Sequence, residues 1–347
     1  MSKLKTLLAF FVIVGTTLAQ ERKTYKIRTI AFYNLENLFD TLDDPETFDD
    51  DRTPEGKDVW TQERYSRKVD HMSRVLSQIG SETTKTSPDI IGVCEVENRQ
   101  VVEDLVHHPY LRGKDYGIIH FDSPDERGID VALLYKKKSF IPSSFSSHRL
   151  LLYNSENFRD YTRDQLVVGG YMDGEEIHFI VNHWPSRSGG EARSKPYRIA
   201  AAKLNRRIID SILSINPKAK IIAMGDLNDD PMDDSLKKVL KTKGKQATLT
   251  QGDLYNPMEN LFKKGWGSLA YRDQWNLFDQ IYFTANLVLN SYAGFHYWKA
   301  GIFSPPYLLD QKGKYKGYPL RTYAGGSYIG GYSDHFPVYI YVIKEVK

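Results

Sequence analysis

One cysteine, Cys94, stands among 347 residues. That scarcity excludes an intrachain disulfide. Stability must come from a hydrophobic core, which a chain of this length can build as one large domain. Long apolar runs are scarce too. Leu7 to Val14 is too short to span a bilayer. With Lys3 and Lys5 before it and Gly15-Thr16-Thr17-Leu18-Ala19 after it, this run predicts an export signal over residues 1–19. A single catalytic domain is expected over residues 20–347. No cysteine follows the cleavage region, so neither a lipid anchor nor a transmembrane anchor is expected. The expected location is the periplasm or the exterior. An excess of charge of either sign is also missing. The formal charge is +3, and it falls to +1 when Lys3 and Lys5 leave with the signal. A polybasic coat for nucleic acid is excluded, and any polyanion binding has to come from a local stripe. Finally, there is no Gly-x-x-x-x-Gly-Lys-Ser/Thr loop, no His-Glu-x-x-His and no Gly-x-Ser-x-Gly. Nucleotide-driven motors, zincins and esterase elbows are therefore disfavoured.

Repeats, low-complexity tracts and obvious linkers are also absent. Lys26 to Tyr33, Asp89 to Glu95, Ile129 to Tyr135, Lys220 to Met224, Phe278 to Phe283 and Phe336 to Ile343 read as strands. Gln165 to Tyr171 and Glu176 to Asn182 form a hairpin around Asp173-Gly174. Helices are expected over Gln62 to Ile79, Arg99 to His107, Ala192 to Ile215 and Asp233 to Leu240. Residues 40–58 and 285–330 read as long loops. Strands and helices alternate, but hairpins are mixed in. That favours a pair of mixed sheets between helices over a doubly wound parallel sheet.

Polar residues recur at the ends of these apolar strands. Asp334 and His335 sit within Gly330-Gly331-Tyr332-Ser333-Asp334-His335-Phe336-Pro337-Val338, a poor core segment because buried charges need partners or a metal. Asp226 and Asn228 follow an apolar strand two residues apart, so in extended chain both face one side. A carboxylate beside an amide suits water activation and contact with a phosphate oxygen; the segment is equally good turn chemistry. Glu95 is a strand-end carboxylate able to hold Mg²⁺, or else a partner for Arg99. Asn34, sharing a face with Glu36, adds a ligand or is a turn residue. His183 reads as a proton donor to a leaving alkoxide or as a satisfied structural histidine. Arg187, Arg193, Lys195 and Arg198 surround Gly189-Gly190 and either hold phosphates or mark a solvated helix start. Cys94 points away from Glu95 and reads as a buried small residue. His71, His107, His108, His120, His148, His178 and His296 read as structural or surface residues. Taken together, Asn34, Glu95, His183, Asp226, Asp279, Asp334 and His335 suggest one polar site for metal-assisted attack on a phosphate ester.

The set resembles the endonuclease/exonuclease/phosphatase superfamily, with the deoxyribonuclease I-like fold, from about residue 26 to 343. The blocks that carry the resemblance are Gly225-Asp226-Leu227-Asn228 and Ser333-Asp334-His335-Phe336-Pro337-Val338. Glu95-Val96, Arg127-Gly128-Ile129-Asp130-Val131-Ala132, Asn182-His183 and Phe278-Asp279-Gln280-Ile281 support them. The resemblance implies a four-layer αββα sandwich of two mixed sheets flanked by helices. It implies Glu95 as the main metal carboxylate, helped by Asn34 and Asp334, with Mg²⁺ as the metal and Mn²⁺ or Ca²⁺ as alternatives. Asp226 would align or deprotonate water, Asn228 would hold a phosphate oxygen, and His335, oriented by Asp279, would contact the scissile phosphate. His183 would be a second histidine, with Asp130 as its carboxylate partner. Arg187 and Arg193 are the candidate contacts to substrate phosphates. Asp229-Asp230-Pro231 departs from the Tyr-Arg of inositol-polyphosphate phosphatases. The expectation is an exported, monomeric endonuclease acting on DNA or RNA, with no stable protein partner. A sphingomyelinase-like hydrolase of lipid or small phosphate esters is the alternative, and an inactive binding protein a third reading.

Overall fold

Each of the two sheets is built around a parallel pair of apolar strands. The computed structural model describes residues 23–289 and 292–346; the expected export signal lies outside them. In the first sheet Thr24–Leu38 runs parallel to Ile90–Val96. Val338–Val346 pairs antiparallel on one side of this couple, and Asp130–Lys136 on the other. His296–Ile302 and Tyr116–His120 form the edges, giving six strands. In the second sheet Lys220–Asp226 runs parallel to Glu175–His183. Asp279–Thr284 and then Leu254–Tyr255 flank it on one side, Gln165–Met172 and then Phe140–His148 on the other, again six strands.

Alternation along the strands separates two apolar layers. Ile222 and Met224, Ile281 and Phe283, and Phe179 and Val181 enter the core between the sheets. Ile221, Ala223, Tyr282 and Ile180 face the other way, against Ala201, Leu204 and Ile208 of the Glu191–Ile215 helix. The helices Gln62–Gln78 and Arg99–His107 supply Val69, Met72, Leu76, Val102 and Leu105 against the first sheet. The result is the four-layer helix–sheet–sheet–helix sandwich expected of the fold. Gly92 shows how closely the sheets approach: a Cβ there would lie 2.6 Å from Sδ of Met224 in the opposite sheet. Cys94 is fully buried, and burial pushes its thiol well above its ordinary range, so it behaves as a small core residue.

Four strands of the two sheets escaped the sequence reading, one of them the two-residue edge Leu254–Tyr255. Phe140–His148 is an exposed, serine-rich edge without apolar alternation, and Tyr116–His120 is a short edge. His296–Ile302 lies inside the stretch expected to be loop; it is an edge strand whose register slips between Tyr297 and Lys299. A period-two signal is weakest where only one side of a strand is paired and a bulge interrupts it.

Candidate active site

Register assembles the site. Asp226 ends its strand directly opposite His183 on one neighbour and Asp279 on the other. Residues paired this way point to one face. By the alternation above, that face looks toward the other sheet, where Asn34 of the first strand is the last residue in regular register, opposite Cys94. After Asn34 the strand breaks: Glu36 and Asn37 take positive φ, and the register shifts before Leu38. Glu95 has a φ of 58° and sits at a similar irregularity. A bulge of this kind re-aims side chains at a rim.

The contacts are close and mostly buried. Asn34 Nδ2 donates to Oε1 of Glu95 at 3.2 Å and to Oδ2 of Asp226 at 3.1 Å, while its Oδ1 accepts from the Glu36 amide at 2.9 Å. Asn34 thus braces two carboxylates. The Asn37 amide donates to Oε2 of Glu95 at 2.9 Å. His335 Nδ1 meets Oδ2 of Asp279 at 2.6 Å, and Ser268 Oγ donates to the same oxygen at 2.5 Å. Ser333 Oγ accepts from the His335 amide at 3.1 Å and donates to the Asn34 carbonyl at 2.8 Å, fixing the approach to Val338–Val346 against its neighbour strand in the first sheet, while the His335–Asp279 bond joins the two sheets. Nε2 of His183 lies 3.8 Å from Oδ2 of Asp226, and Nε2 of His335 lies 3.9 Å from the same atom.

Burial and neighbours divide the titrating groups. Burial pushes the Asp226 carboxyl up to about 7; His335 opposes this, and Asp279 and Glu95 add to it. Burial also opposes a charged His335, but Asp279 and Asp334 outweigh it and hold the imidazole well above its ordinary value. Burial, reinforced by Arg163 and Arg127, drives His183 well below that value, so it is neutral. Burial lifts Glu36 to about 7, with Asp334 adding to it, and lowers Lys68 to about 8.

A model of the endonuclease/exonuclease/phosphatase family matches residues 29–344. The chain belongs to that family. Among solved structures it is similar to an endonuclease/exonuclease/phosphatase family protein from Bacteroides thetaiotaomicron. That likeness has 16% identity and a TM-score of 0.55 over 93% of this chain and 97% of the other. Zebrafish (D. rerio) TDP2 complexed with a single-strand DNA product is 14% identical, with a TM-score of 0.53 over 91% and 98% of the two chains. The mannosyl-6-phosphatase Bt3783 of B. thetaiotaomicron is 17% identical, with a TM-score of 0.52 over 92% and 100%. At such identities the likeness is one of fold. No curated protein matches.

Members of the family are phosphoesterases, generally dependent on a divalent metal, so the donor set needs a test. Asp226, Asp279 and His335 bring ligand atoms within 4.8 Å of one another. His335 has Nδ1 taken by Asp279, and its Nε2 lies 3.9 Å from Oδ2 of Asp226. The hard oxygen donors at the site are Asp226 and Asp279, with Glu95 joined to Asp226 through Asn34 and Asp334 held by Arg321 beside His335. Asp279 also keeps a buried Oδ1 without a hydrogen-bond partner among the described residues. Such carboxylates suit Mg²⁺, which takes one or two of them and retains its waters.

The structure reassigns several expectations. Asp130 pairs with His120 Nε2 at 3.0 Å and with Ser123, while Nδ1 of His183 has no hydrogen-bond partner among the described residues. The expected Asp130–His183 pair is therefore absent. Asp226 and Asn228 are not in extended chain: Asn228 has a φ of 50° and its amide donates to Oδ1 of Asp226 at 3.0 Å. One amide hydrogen of Asn228 is used by the Trp184 carbonyl at 3.0 Å. Glu36 leaves the face of Asn34 and takes the Thr322 amide at 2.7 Å. The basic stretch is largely neutralised within the fold. Arg187 binds Asp233 at 2.7 Å and the Asn228 carbonyl at 2.8 Å and lies on the Phe278 ring. Lys195 pairs with Asp234 and buried Arg198 with Asp229. Only Arg193 of the four stays free among the described residues, in a cleft of about 550 Å³ with Arg127 and Arg163. Ser268, Lys68 and Arg321 belong to the site and were not expected there. Arg321 binds Asp334 at 2.7 Å, and Lys68 sits 3.8 Å from Glu36. No local motif marks them, since they reach the site from distant segments.

Proposed function

We propose that this chain is an exported, metal-dependent phosphodiesterase that hydrolyses nucleic acid. The observation that carries the reading is the row His183–Asp226–Asp279 across three neighbouring strands, with His335 bonded to Asp279 and Glu95 braced alongside. In this reading charged His335 donates to a non-bridging phosphate oxygen where negative charge grows in the transition state. Asp279 fixes its ring and, with Ser268, its direction. Asp226, near 7 in the metal-free fold, takes the proton of the attacking water. His183 is neutral and donates a hydrogen bond without adding charge. Asn228 contributes the amide atoms not engaged by Trp184. Glu95, with Asp334, would hold the metal, which supplies Lewis-acid polarisation of the phosphate and stabilisation of the leaving oxygen.

Structures of this fold serve different substrates, as the DNA-bound TDP2 and the mannosyl-6-phosphatase illustrate. The substrate class here is therefore tested directly. A panel of single-strand DNA, duplex DNA, RNA, sphingomyelin and sugar phosphates should be assayed with Mg²⁺, Mn²⁺, Ca²⁺ and chelator. Cleavage of nucleic acid that ends with chelation is expected. Glu95→Gln should keep the fold, lose most turnover and weaken Mg²⁺ binding. Release of phosphorylcholine or inorganic phosphate without strand cleavage would replace this reading with the small-ester one.

A further inference from the structure

A second concavity of about 670 Å³ opens beside the site, lined by Tyr271, Arg272, Lys314, Tyr315, Tyr318 and Arg321 among others. Two links tie it to the phosphate-ester centre. Arg321 in its wall donates to Asp334, the neighbour of His335, at 2.7 Å. The hairpin of Leu269–Tyr271 and Gln274–Asn276, which forms another wall, starts from Ser268. Ser268 Oγ holds Asp279, and its carbonyl accepts the Phe336 amide at 2.7 Å. Trp275 of the same hairpin stacks on Phe336 at 6.0 Å and 18° and reaches Tyr318 at 6.0 Å. The turn between the hairpin strands puts Arg272 and Asp273 at φ of 49° and 63° and lifts Tyr271 outward.

The lining is aromatic and cationic, with two carboxylates, Asp273 and Asp310, among it. Tyr271 is 61% exposed and Tyr315 43%, so these rings are offered rather than packed away. Cations lie against them: Arg272 is 5.1 Å from the Tyr271 ring and Lys314 5.6 Å from the Tyr315 ring. Neither cation has an ion pair among the described residues. Of the two carboxylates in the wall, Asp273 accepts from the Tyr318 hydroxyl at 2.6 Å and Asp310 from the Lys312 amide at 3.0 Å. Half-exposed rings suit a flat π-face, and free cations suit a nearby phosphate. A base stacked and paired inside a duplex cannot enter a pocket without being extruded.

We propose that this pocket takes one unpaired nucleobase adjoining the phosphate under attack, so that the chain prefers single strands and frayed ends to duplex. This deepens the phosphodiesterase reading and rests on it for the reaction, but base binding is separable from turnover. The test therefore begins with equilibrium binding of dAMP and of 2-deoxyribose 5-phosphate, followed by tryptophan fluorescence and calorimetry. Wild type should prefer dAMP by about tenfold or more, within the span of one base–ring stack. Tyr271→Ala and Tyr315→Ala should lose most of that preference, and Tyr271→Phe and Tyr315→Phe should keep it. Equal affinity for the two ligands, or unchanged dAMP binding in both alanine variants, overturns the proposal. The second arm compares kcat/KM on a single strand, the same strand with abasic sugars, and duplex. The single strand should lead, and the alanine variants should narrow the gap. Equal cleavage of all three overturns the pocket while leaving the phosphodiesterase reading standing. If no phosphate ester is hydrolysed with any metal, that reading fails and the dAMP arm alone decides the pocket.

Discussion

His183 and His335 lie at 3.8 and 3.9 Å from the same carboxylate oxygen of Asp226, yet the fold pushes their proton affinities in opposite directions. His335 is bonded through Nδ1 to Asp279 and lies beside Asp334. His183 is equally buried, has no bonding partner for Nδ1 among the described residues, and feels Arg163 and Arg127. Distance to a shared acid therefore does not set the protonation state of a histidine here. What sets it is whether the far nitrogen is answered by a carboxylate or left in a dry, cation-flanked wall. One histidine suits stabilisation of developing negative charge, and the other a neutral hydrogen bond. This is the division of labour that environments impose on like residues in catalytic sites.

The sharpest way to break the comparison is to remove what the two rings share. Asp226→Asn should lower single-turnover rate by about 10³–10⁴, the upper part of the range for a general base, with little change in substrate affinity. It should also raise the melting temperature of the metal-free protein at pH 8. The sign follows from the carboxyl, whose folded value near 7 lies above its ordinary 3.8. Between those values the folded state holds the extra proton, so stability falls as pH rises through the window, and the cost is fully present above it. A variant with a normal rate and a lower melting temperature would make Asp226 a mere turn former.

His335→Ala should follow, with a loss of about 10³ in turnover, the cost of removing one preorganised donor to developing charge. The matching change, His183→Ala, should cost about tenfold less, because a neutral donor is worth less than a charged one. Equal losses would erase the distinction between the two rings.

Asp279→Asn tests the cause of the difference. It should cost about 10–10² in turnover, as loss of an orienting partner does. Its clearer mark is on pH dependence. Without the carboxylate His335 loses its proton more easily, so the alkaline limb of turnover should move to lower pH. The raised value of His335 also stabilises the wild-type fold at low pH, a contribution lost as pH rises through the folded value. Asp279→Asn should therefore destabilise most below the ordinary histidine range. An unmoved alkaline limb would assign it to another group.

Much of this was legible in sequence, and the gaps have physical reasons. Strand ends carrying Asn34, Glu95, His183, Asp226 and Asp279 are visible because an apolar run stops abruptly at a polar side chain. Two-residue periodicity even places the last three on the face between the sheets, since Val181, Met224 and Ile281 share their parity. Partner identity was not legible. Asp130 and Asp279 both stand next to apolar strands, but only register decides that one meets His120 and the other His335. The positive φ at Glu36, Glu95 and Asn228 was also invisible, because none of these is glycine. Those kinks redirect Glu36 to Thr322 and turn Asn228 back on Asp226. Arg187 and Arg198 looked like phosphate ligands because Asp229 and Asp233, about 30 to 46 residues away in the chain, were not seen as their partners.

The smallest expected effect is the finest probe of why His183 stays neutral. Burial is the larger cause, followed by Arg163 and then Arg127. Arg163 is itself buried and binds Asp125 at 2.8 Å and the Trp184 carbonyl at 2.7 Å, so changing it would disturb the wall. Arg127 is about half exposed and its nearest carboxylate contact, with Asp125, is 3.5 Å. Arg127→Gln therefore removes a charge with little damage to packing. Loss of a nearby cation favours the imidazolium, so the His183 value should rise, while burial keeps the ring neutral at pH 7. Turnover at neutral pH should change by no more than about twofold, since an exposed charge is strongly screened. Nitrogen-15 histidine spectra across a pH titration of the metal-free protein give the direct reading. A His183 signal that still shows no protonation at pH 7 keeps burial as the dominant cause. Protonation already complete at pH 7 in Arg127→Gln would transfer that role to the arginine, and the two histidines would then differ by one exposed charge rather than by the wall each is set in.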